Sequence, residues 1–341
     1  MEKVVGLGVS GGVDSSVSGY LLKKMGYKVI GYTLILSDVA YNSNLISEAR
    51  KVCDFLGIEH RVLDFRDEFK NIVMNDFIEN YKKGYTPNPC CVCNRYFKFG
   101  IFYNAIKDDG CDFIATGHYA KIIDGKLYRA HNLDKDQSYF LHGINKDVLS
   151  HIIFPLADYD SKDDVREVAK EIGLFVSNKK DSQEVCFIPN DDYKSYLRNN
   201  NVKENPGDIC LKDGTVLGKH NGLFNYTIGQ RKGLNISYSE PLYVISLDTI
   251  NNRVIVGSND DLYKDTIVCS RVNYLTDKLD GTLFAKVRSR GHLIPCTVDC
   301  NNDMVTVHLL EKERAITNGQ YCVFYNDNDQ CLGGGVIEDS Y

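Results

Sequence analysis

A chain of 341 residues is long enough to bury a sizeable core and to hold more than one domain, and its 43% hydrophobic content without a run of about 18 apolar residues excludes a bilayer-spanning helix. A formal net charge of -6 excludes a strongly electrostatic, sequence-blind nucleic-acid binder, so any contact with nucleic acid has to be local. The N-terminus runs into an apolar strand too soon to hold a signal peptide, which places the chain in the cytoplasm and makes its twelve cysteines packing residues, metal ligands or reactive thiols rather than a disulfide framework.

The first strand, VVGLGVS from Val4, runs into SGGVDS, Ser10 to Ser15, and a helix follows from about Ser15. Gly11 and Gly12 let the backbone turn sharply with its N–H groups outward, and Ser10, Ser15 and the helix start add donors and a positive dipole end. A phosphate group fits such a cradle. The loop lacks the lysine of a Walker sequence and resembles instead the S-G-G-x-D-S loop of the PP-loop ATPases. Val17, Leu21 and Met25 predict the buried face of the helix, and Gly26 its stop. Val29 to Ile35 is a second strand. Leu45, Ala49, Val52 and Leu56 mark a helix ended by Gly57, and Arg61 to Phe65 a third strand.

Further along, TPNPCCVCN, Thr86 to Asn94, carries two prolines that predict a stiff extended loop presenting Cys90, Cys91 and Cys93, with a helix resuming near Tyr96. The dipole of that helix, with Lys98 and Arg95, is expected to favour thiolate. Asp112 to Thr116 is another strand, leading into Gly117 and His118 at the sheet edge where ligands of open α/β folds collect. Asp124-Gly125 predicts a hairpin between KII and KLY, and Ser161 with Asp164 a capped helix closed by Gly173. KKDSQEVCFI, Lys179 to Ile188, follows with Cys186. The alternation of strands and helices predicts an α/β parallel sheet covered on both faces.

Beyond about Asn199 the helices largely stop, and turn signals such as Asp213-Gly214 and Asn251-Asn252 separate short β runs. From about Thr266, LFAKVRS, CTVDC, MVTVHLL, YCVFY and CLGGGVI recur at the spacing of an all-β barrel or sandwich. Lys286, Arg288, Arg290 and His292 alternate, so a strand there presents a cationic stripe. Cys53, Cys269, Cys296, Cys322 and Cys331 read as packing residues.

Taken in order, GVSGGVDSSV, TPNP with the following C-N and K-F, ATGHY, KDQSYFL, KKDS with CFI, GQRKGL and CLGGG resemble the tRNA 2-thiouridylases, the MnmA/TrmU family, over nearly the whole chain. The resemblance implies a PP-loop ATPase domain of the adenine nucleotide alpha hydrolase type over 1–198, a small central domain over 199–264 and a C-terminal β-barrel over 265–341. It implies that Gly8, Val9, Ser10, Gly11, Gly12, Val13, Asp14 and Ser15 hold ATP phosphates, with Leu34 and Gly117 against the nucleotide and Mg2+ as companion ion. Cys93 corresponds to the nucleophile and Cys186 to the persulfide carrier. Asn88, Pro89 and Cys90 fall where the target base is received, and His118, Lys135, Asp136, Gln137, Arg288, Ser289 and Gln320 where the family meets tRNA.

The implied reaction is ATP-dependent 2-thiolation of the wobble uridine, position 34, of tRNAs for lysine, glutamate and glutamine, releasing AMP and pyrophosphate, with sulfur supplied by a cysteine desulfurase or relay protein. A uracil carbonyl oxygen is a poor leaving group until it is adenylated, which explains why phosphate loop and cysteines occur together. The family aspartate three residues before the nucleophile is Cys90 here, which creates a C-x-x-C pair. With Cys186 these thiols also form the set that related thiolases use for a 4Fe–4S cluster, so persulfide-disulfide and cluster routes both stay open. An amidating PP-loop ligase or a non-catalytic tRNA-binding module are the remaining alternatives; the first lacks a glutaminase domain here and the second does not require an intact loop.

Overall fold

The computed structural model describes residues 2–38, 44–177, 179, 185–301 and 304–341. Five parallel strands form its first sheet in the order β3-β2-β1-β4-β7: β1 (Val4–Gly8), β2 (Lys28–Ile35), β3 (Glu59–Asp64), β4 (Phe113–Ala115) and β7 (Ile152–Ile153). Strand alternation sends Val5, Leu7 and Val29 to one face, under α1 (Val13–Lys24), α2 (Leu45–Leu56) and α6 (Lys162–Glu171). Ile30, Tyr32 and Ile114 go to the other, under the long helix α4, which runs through Pro89–Val92, Cys93–Phe102 and Tyr103–Asp108. A second long helix, α3 (Arg66–Phe69, Lys70–Met74, Asn75–Lys82), packs Phe69, Val73 and Phe77 against Phe97 and Phe187. The chain order reverses between β1 and β4, so the crevice of this sheet lies past Gly8 and Ala115.

Most element ends follow the turn chemistry. Asp124 and Gly125 both have positive φ and join β5 (Lys121–Ile123) to β6 (Lys126–Tyr128). Ser161 and Asp164 form a reciprocal capping box at 3.1 and 2.8 Å at the start of α6. Two expectations are corrected. Met25 caps α1 and is 58% exposed, because the packed face of α1 is built from Ser15, Ser16, Ser18 and Gly19 together with Val17 and Leu22; small residues that let the helix approach closely carry little hydrophobic periodicity. Pro89 starts a helix instead of forbidding one: it stands at the first helical position, where a missing N–H costs nothing, and Asn88 Oδ1 caps it by accepting from the Cys90 N–H at 3.2 Å.

After α7 (Tyr193–Asn199), whose Leu197 is packed with Phe187 and Phe224, a four-stranded sheet of order β10-β11-β8-β9 encloses Ile209, Val244, Val254 and Val256: β8 (Gly207–Leu211), β9 (Val216–His220), β10 (Tyr243–Asp248) and β11 (Arg253–Gly257). The C-terminal part, from Tyr263, is a closed six-stranded antiparallel barrel, β12-β15-β14-β13-β16-β17: β12 (Tyr263–Tyr274), β13 (Leu283–Lys286), β14 (Ile294–Asn301), β15 (Met304–Arg314), β16 (Tyr321–Asn326) and β17 (Cys331–Ser340). The CLGGG run lies in β17 where the backbone of β12 crowds it: a Cβ at Gly333 would sit 2.0 Å from the Asn273 carbonyl oxygen. Cys53, Cys269, Cys296, Cys322 and Cys331 are all buried packing residues.

The barrel does not stand apart. Its Leu275, Val323, Tyr325 and Cys331 share one core with Phe99, Phe102, Tyr139 and Ile114 of the first domain. At that junction Asp136, with its side chain fully buried, accepts from the N–H groups of Ala130 and Ser138, both at 3.1 Å, and from Ser138 Oγ at 2.8 Å. Arg129 Nε at 3.7 Å and the buried Lys286 of the barrel at 3.9 Å supply countercharge. The predicted cationic stripe is therefore broken. β13 ends at Lys286, which turns inward to Asp136, and Arg288 to Gly291 make a turn closed by a 2.9 Å backbone bond. Replacing Asp136 by Ala would leave the buried Lys286 without this carboxylate and Arg129 with Asp329 alone, and should cost roughly 3 kcal/mol in urea unfolding, while pairing it with Lys286→Met should recover part of the loss; equal stability of D136A and the wild type would refute this junction.

Candidate functional site

β1 delivers the phosphate loop to the crevice. The Val9 N–H is bonded to the Tyr32 carbonyl at 2.8 Å, Thr33 Oγ1 donates to the Val9 carbonyl at 3.1 Å, and Gly11 takes φ of +65°. Ser15 Oγ lies 3.2 Å from both the Ser10 N–H and Ser10 Oγ, which closes the loop on itself. No side chain caps α1, so its positive end faces the loop opening. β4 supplies the other wall. A Cβ at Gly117 would stand 2.9 Å from Asp14 Cβ and 3.0 Å from the Ser15 nitrogen, so only glycine lets this wall touch the first turn of α1. Gly8 lies below, and Leu34 is half-buried near the end of the neighbouring β2.

Asp14 is held rather than free. Tyr119 donates its hydroxyl to Oδ1 at 3.0 Å and Lys162 its ammonium to Oδ2 at 2.9 Å. On the opposite side, Lys179 Nζ donates to the Gly11 carbonyl at 3.1 Å and pairs with Glu48 of α2. No local signal in the residues points to Tyr119, Lys162 or Glu48, since each is brought by the fold from a distant element. Lys179 belongs to the KKDS run, whose remaining residues, 180–182, lie outside the described ones.

The thiols occupy the neighbouring stretch of α4. Cys93 is buried among Val92, Phe97, Phe69 and Phe187, while Cys90 and Cys186 are exposed. From Cys93 the helix winds as a π-helix. Bonding from i to i+5 brings Lys98 back over Cys93, whereas α winding would leave it about 140° round the axis. The expected thiolates are absent. Burial pushes Cys93 up to about 12, with Cys186 and Cys90 adding to the rise and Lys98 opposing it. Although Cys186 and Cys90 keep solvent-exposed surface, the protein packed around their sulfurs desolvates them, taking Cys186 to about 11 and raising Cys90, again against Lys98. Arg95 does not help, because its guanidinium lies 4.9 Å over the Tyr96 ring and its stem packs on Gly143. Cys91 points into the other core beside Tyr139 and belongs to packing.

His118 joins the two halves of the site. Its Nε2 lies 3.5 Å from Lys98 Nζ and its Nδ1 2.7 Å from Thr116 Oγ1. An ammonium only donates, so Nε2 accepts and the ring proton sits on Nδ1. Burial, reinforced by Lys98, holds this imidazole well below its usual range and keeps it neutral.

Of the other predicted site residues, Asn88 and Pro89 are tied into the start of α4. Gln137 is spent on a turn, its Oε1 accepting from the Tyr119 N–H at 2.9 Å. Asp136 is the buried junction carboxylate, which corrects its placement among surface contacts; Lys135 beside it is exposed. Arg288 is exposed and paired with Glu313, and Ser289 is half-buried in the same turn. Gln320 donates Nε2 to the Thr86 carbonyl at 2.7 Å, and the Thr86 N–H bonds to the Asn318 carbonyl at 2.9 Å, so the barrel grips the segment leading to Cys93. Among the described residues, no three Cys, His, Asp or Glu side chains converge as metal ligands; Cys90, Cys93 and Cys186 as arranged here do not fit a cluster.

Comparison with known proteins covers the same three parts. Residues 2–190 match the tRNA methyl transferase HUP domain, 194–258 the tRNA methyl transferase PRC-barrel domain and 264–337 the aminomethyltransferase beta-barrel domain. The chain is 46% identical to tRNA-specific 2-thiouridylase MnmA 1 of Fusobacterium nucleatum over 98% of its own length and 93% of the relative's. It is 42% identical to tRNA-specific 2-thiouridylase MnmA of Clostridioides difficile over 100% and 99%. Among solved structures, the U34-tRNA thiolase NcsA from Methanococcus maripaludis with its [4Fe-4S] cluster aligns with a TM-score of 0.38 at 24% identity, covering 58% of this chain and 65% of that one.

The thiol environment fixes an order of reactivity. With iodoacetamide and peptide mass spectrometry, Cys186 and Cys90 should be labelled before Cys93, and the Cys186 rate should climb about tenfold per pH unit from 7 to 10 without a plateau, because its ionisation lies near 11. Lys98→Met removes the opposing cation and should slow Cys186 labelling at pH 8 by about threefold.

Proposed function

The chain belongs to the tRNA-specific 2-thiouridylases, and on that premise we propose that it adenylates the 2-oxygen of the wobble uridine of tRNAs for lysine, glutamate and glutamine and replaces it with sulfur carried by Cys186. The enzyme is a tRNA-uridine 2-sulfurtransferase. The description of the matched domains speaks of methyl transfer, that of the full-length relatives of thiolation, and the paired cysteines beside a phosphate loop suit the second.

ATP is read to lie with its phosphates on Gly8 to Ser15 and its adenine against Leu34 and Gly117, in the crevice at the sheet's switch point. Magnesium carried with the nucleotide would neutralise phosphate charge; Asp14, with both oxygens engaged by Tyr119 and Lys162, does not fit as its direct ligand. The uracil O2 attacks the α-phosphorus, the bond to the β-phosphate oxygen breaks, and pyrophosphate leaves with the electron pair. C2 is now attached to a good leaving group.

One observation supports this division of labour between the sulfurs: Cys186 is exposed and Cys93 near it is buried. A donor protein such as a cysteine desulfurase can reach Cys186 to form a persulfide, and cannot reach Cys93. A persulfide is more acidic than a thiol, so where burial holds both thiols protonated the terminal sulfur on Cys186 is the soft anion at neutral pH. That sulfur attacks C2 and AMP leaves. Cys93 then gives up its proton and attacks Cys186 Sγ, the S–S bond breaks toward the base, and 2-thiouridine forms together with a Cys93–Cys186 disulfide that a reductant must reopen. If Cys93 strikes first, free sulfide attacks C2 and the same disulfide results. The target base has to be splayed out of the anticodon loop. The exposed Lys135, Arg288, Arg290 and His292 are suited to phosphate contacts that position the RNA.

In a reconstituted reaction with a desulfurase, AMP and pyrophosphate should appear only with tRNA. Cys186→Ser should abolish nucleoside thiolation and steady-state AMP release while leaving a single-turnover burst of tRNA-dependent pyrophosphate within about threefold of wild type, and Cys93→Ser should lower thiolation at least about a hundredfold. Thiolation by the C93S/C186S double variant, or turnover that requires bound iron and acid-labile sulfide, would overturn the reading.

A further inference from the structure

The phosphate loop of this chain, Ser10 to Ser15, contains no lysine, yet the fold brings one to it from 168 residues away. Lys179 Nζ rests 3.1 Å from the carbonyl oxygen of Gly11, the residue at the bend of the loop, and its second partner is the carboxylate of Glu48. Glu48 itself is pressed on the loop: a Cβ at Gly11 would lie 3.1 Å from Glu48 Cβ and 3.5 Å from its Oε2. A carboxylate in that place repels an incoming polyphosphate, so in a loop built for phosphate it makes sense only as the partner of a cation that will change hands. The other lysine of the loop, Lys162, is bound to Asp14 on the far side of the first turn of α1.

We infer that Lys179 is the cation of this phosphate loop, held by Glu48 while the loop is empty and transferred to the β- and γ-phosphate oxygens when a nucleoside triphosphate enters. This rests on the ATP-dependent reading above. The Gly11 carbonyl stays the pivot, so the ammonium has only to swing from one anionic partner to another. When the uracil oxygen attacks the α-phosphorus and the bond to the β-phosphate oxygen breaks, the electron pair departs on pyrophosphate, and Lys179 receives the charge that develops there. No proton moves in this step. Glu48 then competes with pyrophosphate for the ammonium and helps product leave.

The test uses the full chain with tRNA and a sulfur donor, reading steady-state ATP parameters and inhibition by inorganic pyrophosphate and by AMP. Wild-type enzyme has first to make AMP in a tRNA-dependent manner; if it does not, the ATP reading fails and the assignment of Lys179 with it. Given that activity, Lys179→Met should raise the KM for ATP and the inhibition constant of pyrophosphate by at least about tenfold, the size of one charge-assisted contact, while the constant for AMP and the KM for tRNA stay within twofold. Lys179→Arg should restore most of the pyrophosphate affinity. Glu48→Gln, which frees the ammonium, should tighten pyrophosphate inhibition by about threefold. The inference is overturned if K179M keeps wild-type pyrophosphate inhibition, or if E48Q weakens it as K179M does, since a structural strut is broken equally from either side. Thermal midpoints of K179M and K179R separate a lost contact from a lost fold.

Discussion

The site depends on a contact with no side chain in it. Gly117 follows β4 and lies against the first turn of α1 at about van der Waals contact, which sets the width of the crevice between the phosphate loop and the wall carrying His118. Through His118 and Lys98 that wall reaches the helix of Cys93. Nucleotide chemistry and sulfur chemistry are therefore parts of one rigid arrangement, as a reaction requires in which an adenylated base meets sulfur before water does.

The same arrangement explains why the thiols are kept quiet. A permanently ionised Cys93 would be open to oxidation and alkylation between turnovers. Burial holds it protonated, and Lys98, brought over it by the π winding, tempers the rise without cancelling it. On the proposed route, reactivity then enters with the substrate, as a persulfide on Cys186 that is a better acid than either thiol. The cost is that one sulfur must stay exposed, and the structure divides that exposure unequally, leaving Cys93 covered.

Much of this was legible in the residues. The phosphate loop, the parallel sheet, the capping box at Ser161, the Asp124-Gly125 hairpin and the barrel strands follow from local chemistry that the fold does not override. The failures have physical causes. Small residues on α1 packed the face that periodicity placed on Leu21 and Met25, and Pro89 at a helix start cannot be told from Pro in a loop until Asn88 is seen to cap it. The cationic stripe assumed that β13 continued through Lys286, but a buried acceptor on another domain drew that lysine inward. The ion pairs of Asp14 and Lys179 were hidden for the same reason, being made by tertiary approach across 148 and 131 residues.

The shared core at the domain junction also bears on how the chain comes off the ribosome. Synthesis is vectorial and domains usually close as they emerge. Here the first domain closes only in part, because Leu275, Val323, Tyr325 and Cys331 complete one of its cores, and the 318–320 turn holds Thr86 in place. Until the last strands are made, aromatic surface around Tyr139 and Phe102 lies open to water, and the segment leading to Cys93 lacks the grip of the barrel on Thr86. The sheet and its phosphate loop can therefore form early in synthesis, while the face around Tyr139 is covered only when the barrel closes on it.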